Sequence, residues 1–372
     1  MHRFTTLLAV AIVGAVAIGS AQEHSSGPYK ILKTAKVGGE GNWDYIWADV
    51  AGRRLYIPRR APAAPPGAEG PAPASSVRTR LTIFNLDTLE PAGEIDGIGG
   101  NGATVDPKSG HGFTSSKPVS MFDTKTMKLI KTIDVNPPAF QPDGILFDAF
   151  NQHVYVFSHP TKDAMVIDSK DGTVLGNVDL GGVPEQGVSD GKGTVYVVMQ
   201  DAQGGVAVVD AKTMKTTAHY PFGDKAGGCN GLALDNKNHV LFAACARSGN
   251  PADNPPAPRM VILSATDGKI LTTLPLAGGS DGAAFNPATM EAFSSHGNGT
   301  MTIVKETSPT TFEVEQNLDT INFARTNAFD SKTGRLFVMA EERGPAPPTP
   351  PGGRAGRGAS IPGTFKILMI GK

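Results

Sequence analysis

The sequence predicts an all-β fold, a seven-bladed β-propeller with four-stranded blades, and three observations lead to this prediction. Seven units repeat along the chain, glycine (45 residues) and proline (29 residues) are abundant, and only 19% of residues are charged. No apolar period of 3.6 residues is sustained after the N-terminal segment. This composition suits short strands and tight turns rather than helices. Four strands in each unit of ~40–50 residues is the spacing of propeller blades.

Each unit begins with a short apolar strand, a turn with an Asp or Asn, and a second strand with one aromatic residue. The turn residues are Asp49, Asp106, Asp148, Asp190, Asp235, Asn286 and Asp330. The aromatic residues are Tyr56, Phe113, Tyr155, Tyr196, Phe242, Phe293 and Phe337. The two positions are seven residues apart in every unit except the fourth, where they are six apart. A register kept in this way predicts seven copies of one β-unit.

The two ends of the chain predict that the ring closes. The last unit ends with FKILMIG, one strand short of four, whereas residues 29–38 (YKILKTAKVG) resemble the fourth strands of other units, such as residues 269–279. We therefore predict that the N-terminal strand completes the seventh blade. Closure of this kind removes an open edge that would otherwise favour aggregation.

The N-terminal segment has the organisation of a secretory signal peptide over residues 1–21. Arg3 supplies a basic region, residues 7–18 are apolar, and Gly19-Ser20-Ala21 forms a small-residue cleavage site. The apolar run is shorter than the ~20 residues of a membrane-spanning helix. We expect cleavage near Ala21, export to the periplasm or the exterior without a membrane span, and one propeller domain over residues 22–372.

Two stretches resemble a known family. Residues 280–314 (SDGAAFNPATMEAFSSHGNGTMTIVKETSPTTFEV) and the tail over residues 338–372 are similar to secreted bacterial YVTN-repeat propellers, also called YncE-like. The resemblance extends over essentially the whole chain after the signal peptide. It implies the propeller fold and export, and it implies no shared catalytic motif.

Polar residues open the first strand of all seven units, and innermost strands line the channel of a propeller. These residues are Asp44, Asn101, Asp143, Gln186, Asn230, Asp281 and Arg325. Together they could bind a polar ligand or a hard cation such as calcium at the channel mouth. The alternative is ordinary turn chemistry, since Asp-Gly and Asn-Gly are common at turns. No other cofactor is predicted.

Further features are expected on the same face. His159 and His296 end second strands and are the histidines best placed to face a ligand at the mouth, although each could equally be a solvated or hydrogen-bonded residue. Three Pro-rich insertions, 59–76, 247–258 and 343–363, fall between second and third strands. They are interpreted either as solvated flaps or as a lid or docking element.

Cys229 and Cys245 are the only two cysteines. A turn centred near Lys237 places them opposite each other on antiparallel strands, where they could form a disulfide after export. The alternative is a thiol pair that binds a soft metal such as Cu(I). We predict the disulfide.

The remaining motifs give little support to enzyme classes. Residues 97–102 match G-x-G-x-x-G and residues 187–191 match G-x-S-x-G, but neither precedes a predicted helix, as nucleotide binding or a nucleophile elbow would require. The formal charge of −1 gives no electrostatic reason for nucleic-acid binding. We predict a monomeric scaffold that binds a small molecule, a glycan or a protein. The alternative is a metal-assisted hydrolase or lyase of the lactonase-like or streptogramin-lyase-like type.

Overall fold

Each strand in the computed structural model belongs to one of seven sheets, and each sheet has four antiparallel strands. The structure describes residues 27–61, 77–248, 257–346, 348 and 358–372, and no helix occurs among them. The predicted all-β seven-bladed propeller is therefore confirmed. The predicted signal peptide and most of the Pro-rich insertions lie outside the described residues.

The strands follow one another blade by blade. Blade 1 consists of β2 (Trp47–Asp49), β3 (Arg54–Arg59), β4 (Arg80–Asn85) and β5 (Pro91–Asp96). Blade 2 consists of β6 (Ala103–Asp106), β7 (His111–Thr114), β8 (Val119–Asp123) and β9 (Lys128–Ile133). Blade 3 consists of β10 (Pro142–Asp148), β11 (His153–Ser158), β12 (Asp163–Asp168) and β13 (Val174–Asp179). Blade 4 consists of β14 (Pro184–Ser189), β15 (Thr194–Met199), β16 (Gly205–Asp210) and β17 (Lys215–Pro221).

The last three blades complete the ring. Blade 5 consists of β18 (Gly227–Asp235), β19 (Val240–Arg247), β20 (Arg259–Ser264) and β21 (Ile270–Pro275). Blade 6 consists of β22 (Ser280–Asn286), β23 (Glu291–His296), β24 (Thr300–Ser308) and β25 (Thr311–Asp319). Blade 7 consists of β26 (Asn327–Asp330), β27 (Arg335–Ala340), β28 (Lys366–Gly371) and β1 (Lys30–Lys36).

Seven apolar clusters hold the ring together, one at each interface between neighbouring blades. The repeat aromatics belong to these clusters; Phe337, for example, packs between blades 7 and 1. First strands of adjacent blades lie side by side around the central channel. The chain therefore enters every blade at the channel, and second strands end on the face where the first strands begin.

The N-terminal strand closes the ring as predicted. β1 pairs with β28 from Lys30 opposite Gly371 to Lys36 opposite Lys366. Next to it, the Tyr29 hydroxyl donates to the buried carboxylate of Glu291 in blade 6, and Lys372 Nζ lies 2.7 Å from the same carboxylate. Both ends of the described chain thus meet at one acidic side chain.

The disulfide is also as predicted. Cys229 and Cys245 face each other on β18 and β19, and their sulfur atoms are bonded at 2.06 Å. Both residues are buried between blades 4 and 5. Within the described ranges, no helix has the length and the apolar character needed to span a membrane.

The closure contact predicts a specific loss of stability. Tyr29→Phe removes a hydrogen bond to a charged, buried acceptor and should lower the free energy of unfolding by about 1.5–3 kcal/mol, measured by denaturant unfolding. Tyr196→Phe is the matched control, because its hydroxyl donates to the neutral carbonyl of Ala265 and its loss should cost only ~1 kcal/mol. Equal losses would show that Glu291 has no special role in closure.

The disulfide predicts a second effect. The bond closes a loop with a sequence separation of 16, which corresponds to ~3 kcal/mol in the chain-entropy description. Reduced wild-type protein should therefore unfold at a lower denaturant concentration than the oxidised protein, and the Cys229→Ala/Cys245→Ala variant should be insensitive to reductant. Free thiols in the native protein recovered without reductant would contradict the bond.

Candidate binding site at the channel mouth

Four inner strands have a β-bulge where they begin at the channel mouth. The register with the second strand shifts between Pro142 and Ile145, Pro184 and Gly187, Cys229 and Gly231, and Ser280 and Gly282. Each bulge contains a predicted mouth residue: Asp143, Gln186, Asn230 or Asp281. A bulge leaves a residue out of the ladder and redirects its side chain, so the repeated irregularity supplies polar groups to the mouth.

The glycine after each of these residues has a packing reason. A Cβ atom on Gly231 would lie 2.8 Å from the Ala283 backbone nitrogen in the next blade, and one on Gly187 would lie 2.7 Å from the Phe157 ring. Neither approach leaves space for a side chain. The polar–Gly pairs therefore place a functional group next to a closely packed backbone.

One half of the mouth is a chain of hydrogen bonds across blades 1, 7, 6 and 5. Arg325 lies between two acids: its Nη2 donates to Asp44 Oδ1 at 3.0 Å, and its Nη1 donates to Asp281. Asn230 Nδ2 donates to the other oxygen of Asp281 at 2.6 Å. Four of the predicted mouth residues are thus brought together.

Burial sets the charge of Asp44. Desolvation, opposed by Arg325 and reinforced by the neighbouring carboxylates of Asp143 and Asp281, raises its pKa to about 7. Near neutral pH this carboxyl is therefore divided between its two protonation states.

The other half of the mouth is a cluster of Asp143, His159 and Glu185. His159 Nε2 lies 2.9 Å from Asp143 Oδ2 and 3.3 Å from Glu185 Oε1. The His159 side chain is 34% exposed, whereas that of Glu185 is 7% exposed. One nitrogen or oxygen atom from each residue lies within 4.8 Å of the others. This is the spacing in which three side chains could contact one small ligand or ion.

The cluster favours a protonated histidine. Contacts with Asp143 and then Glu185 raise the pKa of His159 to about 10, against the effect of burial. Burial raises the pKa of Glu185, and His159 opposes this rise. The Tyr45 hydroxyl donates to Glu185 Oε2 at 2.6 Å, and Gln200 Nε2 donates to Glu185 Oε1. Tyr45 of blade 1 and Gln200 of blade 4, the blade that carries Glu185, therefore orient this carboxylate.

The remaining predicted residues have other contacts. Gln186 reaches across the channel: its Nε2 donates to the Ala283 carbonyl at 2.9 Å, and its Oε1 accepts the Leu232 and Ala283 N–H groups. Asn101 Nδ2 donates to the Pro142 carbonyl at 2.8 Å. Both therefore connect blades at the mouth.

His296 is placed differently from the sequence-based expectation. It is buried inside blade 6, where its ring nitrogens contact Thr300 Oγ1 at 2.9 Å and Ser294 Oγ at 3.1 Å. Burial lowers its pKa to about 3. The structure does not bring His296 to the Asp143 cluster.

Glu185 and Tyr45 were not predicted from the sequence. Glu185 directly precedes Gln186, and the bulge in β14 allows both consecutive polar side chains to serve the mouth. Tyr45 directly follows Asp44. The signal in the sequence is a pair of adjacent polar or amphipathic residues at each of these strand entries.

Comparison with known proteins supports the fold only. No protein-family model matches the sequence, and no curated protein matches it. Among solved structures, a chain of Kuenenia stuttgartiensis hydrazine synthase has a TM-score of 0.63 at 13% identity, covering 79% of this chain and 91% of that one. A chain of the mitotic checkpoint complex has a TM-score of 0.62 at 10% identity, covering 90% and 95%. At such low identity the likeness shows the propeller architecture.

The raised pKa of His159 predicts a measurable titration. Because the folded pKa is about 10 and the usual value is 6.5, the ion pair contributes its full stabilisation below about pH 6.5 and loses it as pH rises through 10. Side-chain NMR should show a His159 midpoint near 10, and Asp143→Asn should lower it more than Glu185→Gln does. A midpoint near 6.5 in the wild type would contradict the cluster geometry.

Proposed function

We propose that the protein is an exported scaffold that binds a small cationic ligand at the polar channel mouth. The observation that carries this proposal is the Asp143–His159–Glu185 cluster, in which two carboxylates converge on His159, whose side chain is 34% exposed. Concave sites with a few convergent polar groups are the usual places for small ligands.

The charge of the cluster favours a cation. Its two carboxyl groups face a single basic side chain, His159, so acidic groups outnumber basic groups in the cluster. Arg325 and Arg60 act on the other half of the mouth, where they oppose the rise in the pKa of Asp44. A ligand with positive charge at Asp143 and Glu185 would gain Coulomb energy in a region of reduced dielectric constant.

Unused hydrogen-bonding capacity near the mouth supports ligand binding in general. Asn230 and Asn101 each use the side-chain nitrogen, whereas the side-chain oxygen of each is buried without a partner among the described residues. A buried acceptor without a partner is costly. A ligand that donates hydrogen bonds would satisfy such groups.

A metal-assisted hydrolase or lyase is the second candidate, and the donor set of the cluster favours it. An imidazole nitrogen and two carboxylate oxygens are ligand types of catalytic metal sites, in which three protein ligands leave a position for water or substrate. His159 would have to release its proton to serve as a ligand.

We also propose export and kinship with the YVTN-repeat, YncE-like propellers. The signal-peptide pattern of residues 1–21 supports export, and the buried disulfide agrees with an oxidising compartment. The resemblance of residues 280–314 and 338–372 to that family supports the kinship.

Calorimetric titration would test the proposed site. Wild-type protein treated with chelator and then exchanged into chelator-free buffer would be titrated with Zn²⁺, Mn²⁺, Ca²⁺ and, separately, putrescine. We expect one of these cations to bind with one-to-one stoichiometry, and Asp143→Asn and Glu185→Gln each to weaken binding by about tenfold or more. His153→Gln is the control, because His153 begins β11 whereas His159 directly follows the other end of that strand.

The outcomes separate the candidates. Putrescine binding that is strengthened by His159→Gln identifies an organic cation, since the positively charged imidazole would no longer compete. Metal binding that is lost in His159→Gln identifies a metal site, and lactone hydrolysis by the loaded wild type alone would then favour the enzyme. Absence of binding by all four probes, or binding unchanged in both acid variants, would reject the proposed mouth site.

A further inference from the structure

Below the mouth, the central channel becomes an apolar chamber. A cavity of about 540 Å³ is lined by first strands of six blades, with Trp47, Val105, Ile145, Phe147, Ala284 and Phe329 among its walls. It extends to Val50, Ala51 and Pro107, which lie in turns after first strands, at the face opposite the mouth. The chamber is therefore approached from the other end of the channel.

Side chains that cross the channel separate this chamber from the mouth. Tyr45 of blade 1 donates across to Glu185 of blade 4, and Gln186 of blade 4 bonds to the Ala283 backbone of blade 6. Tyr45 and Gln186 line the inner end of the chamber. A ligand in the chamber would thus contact different residues from a ligand at the Asp143 cluster.

A second cavity of about 410 Å³ adjoins the first. It shares Trp47, Phe147, Gln186 and Ala284 with the first cavity and continues along Val188 and Leu234 of blades 4 and 5. All seven inner strands therefore contribute to one mostly apolar wall. The volume of each cavity falls within the range of small-molecule sites, roughly 300–1,000 Å³.

Two side chains in the walls each have one polar atom without a partner, a donor in one and an acceptor in the other. Trp47 Nε1 and Asn327 Oδ1 are both buried without a hydrogen-bond partner among the described residues, and both residues line the chamber. Asn327 uses its Nδ2 on the Gly282 carbonyl and Ser295 Oγ, so its orientation is set and its oxygen is the group left over. Buried polar groups normally have partners.

We propose that the chamber binds a small neutral molecule with an apolar body and one polar group that both accepts and donates a hydrogen bond, such as a carboxamide. The acceptor would take the Trp47 N–H, and the donor would serve Asn327 Oδ1. Among the described residues that line the two cavities, Asp49 is the only acidic or basic one, and its Oδ1 accepts the Gly52 N–H at 2.8 Å. An anionic ligand would lose its hydration without gaining a counter-ion, and a cationic ligand would meet only Asp49, whose Oδ1 is already bonded within its own turn.

A matched series of probes tests this assignment. 2-Naphthamide, 2-naphthoate and 2-naphthylmethylammonium have the same apolar body and differ in charge, and each would be titrated into the full-length protein by calorimetry. We expect the amide to bind at least about tenfold more tightly than either charged probe. Ala284→Phe should abolish binding, because Ala284 lines both cavities.

Two further variants keep the test decisive. Trp47→Phe retains the apolar wall but lacks the donor, and should weaken amide binding by about tenfold without changing the unfolding midpoint greatly. Asp143→Asn, a mouth variant, should leave amide binding unchanged. Amide binding that is absent in the wild type, equal for charged probes, or unaffected by both Ala284→Phe and Trp47→Phe would overturn the proposal, whatever the result at the mouth.

Discussion

Pairing of β1 with β28 is the constraint on which the rest of the structure depends. The last blade obtains its fourth strand from the other end of the chain, so this pairing joins the two ends of the described chain in one sheet. The contact of Tyr29 and Lys372 with Glu291 secures this pairing against blade 6. Without closure, the side chains that meet across the channel would lose their fixed separation, because each is held on a different blade.

The sequence was sufficient to predict features that depend on repetition. The turn acids and the aromatics such as Phe113 and Phe293 recur at fixed spacing because each unit solves the same packing problem between two neighbours. The disulfide was predicted from a turn centred near Lys237, but the ladder next to the turn pairs Asp235 with Val240, and it is the bulge between Cys229 and Gly231 that brings Cys229 opposite Cys245. The repeat spacing therefore needs only a local pattern, whereas the cysteine pairing also depends on an irregularity.

The Asp143 cluster could not be predicted in full, because it depends on irregularities of the repeat. A bulge in β14 admits two consecutive polar residues, and strict alternation would have assigned only one of them to the channel. His159 and His296 occupy similar positions after or at the end of second strands, yet His159 meets two carboxylates from blades 3 and 4. His296 instead meets Thr300 and Ser294 within its own blade. The two histidines differ in the residues around them, and the sequence of a single repeat does not show which residues of the next blade lie nearby.

Hydrogen-bonding capacity distinguishes the structural polar groups of the channel from those open to a ligand. Gln186 uses its oxygen twice and its nitrogen once on backbone groups of blades 5 and 6, and the single hydroxyl proton of Tyr45 is taken by Glu185. These two side chains form the floor of the mouth, and they have little hydrogen-bonding capacity left for a ligand. By contrast, Asn230 retains an unpaired oxygen above the floor and Asn327 retains one below it. Because the polar groups of the floor already bond to other parts of the protein, ligands on its two sides should bind independently. The channel would then contain one polar site at the mouth and one apolar site in the chamber.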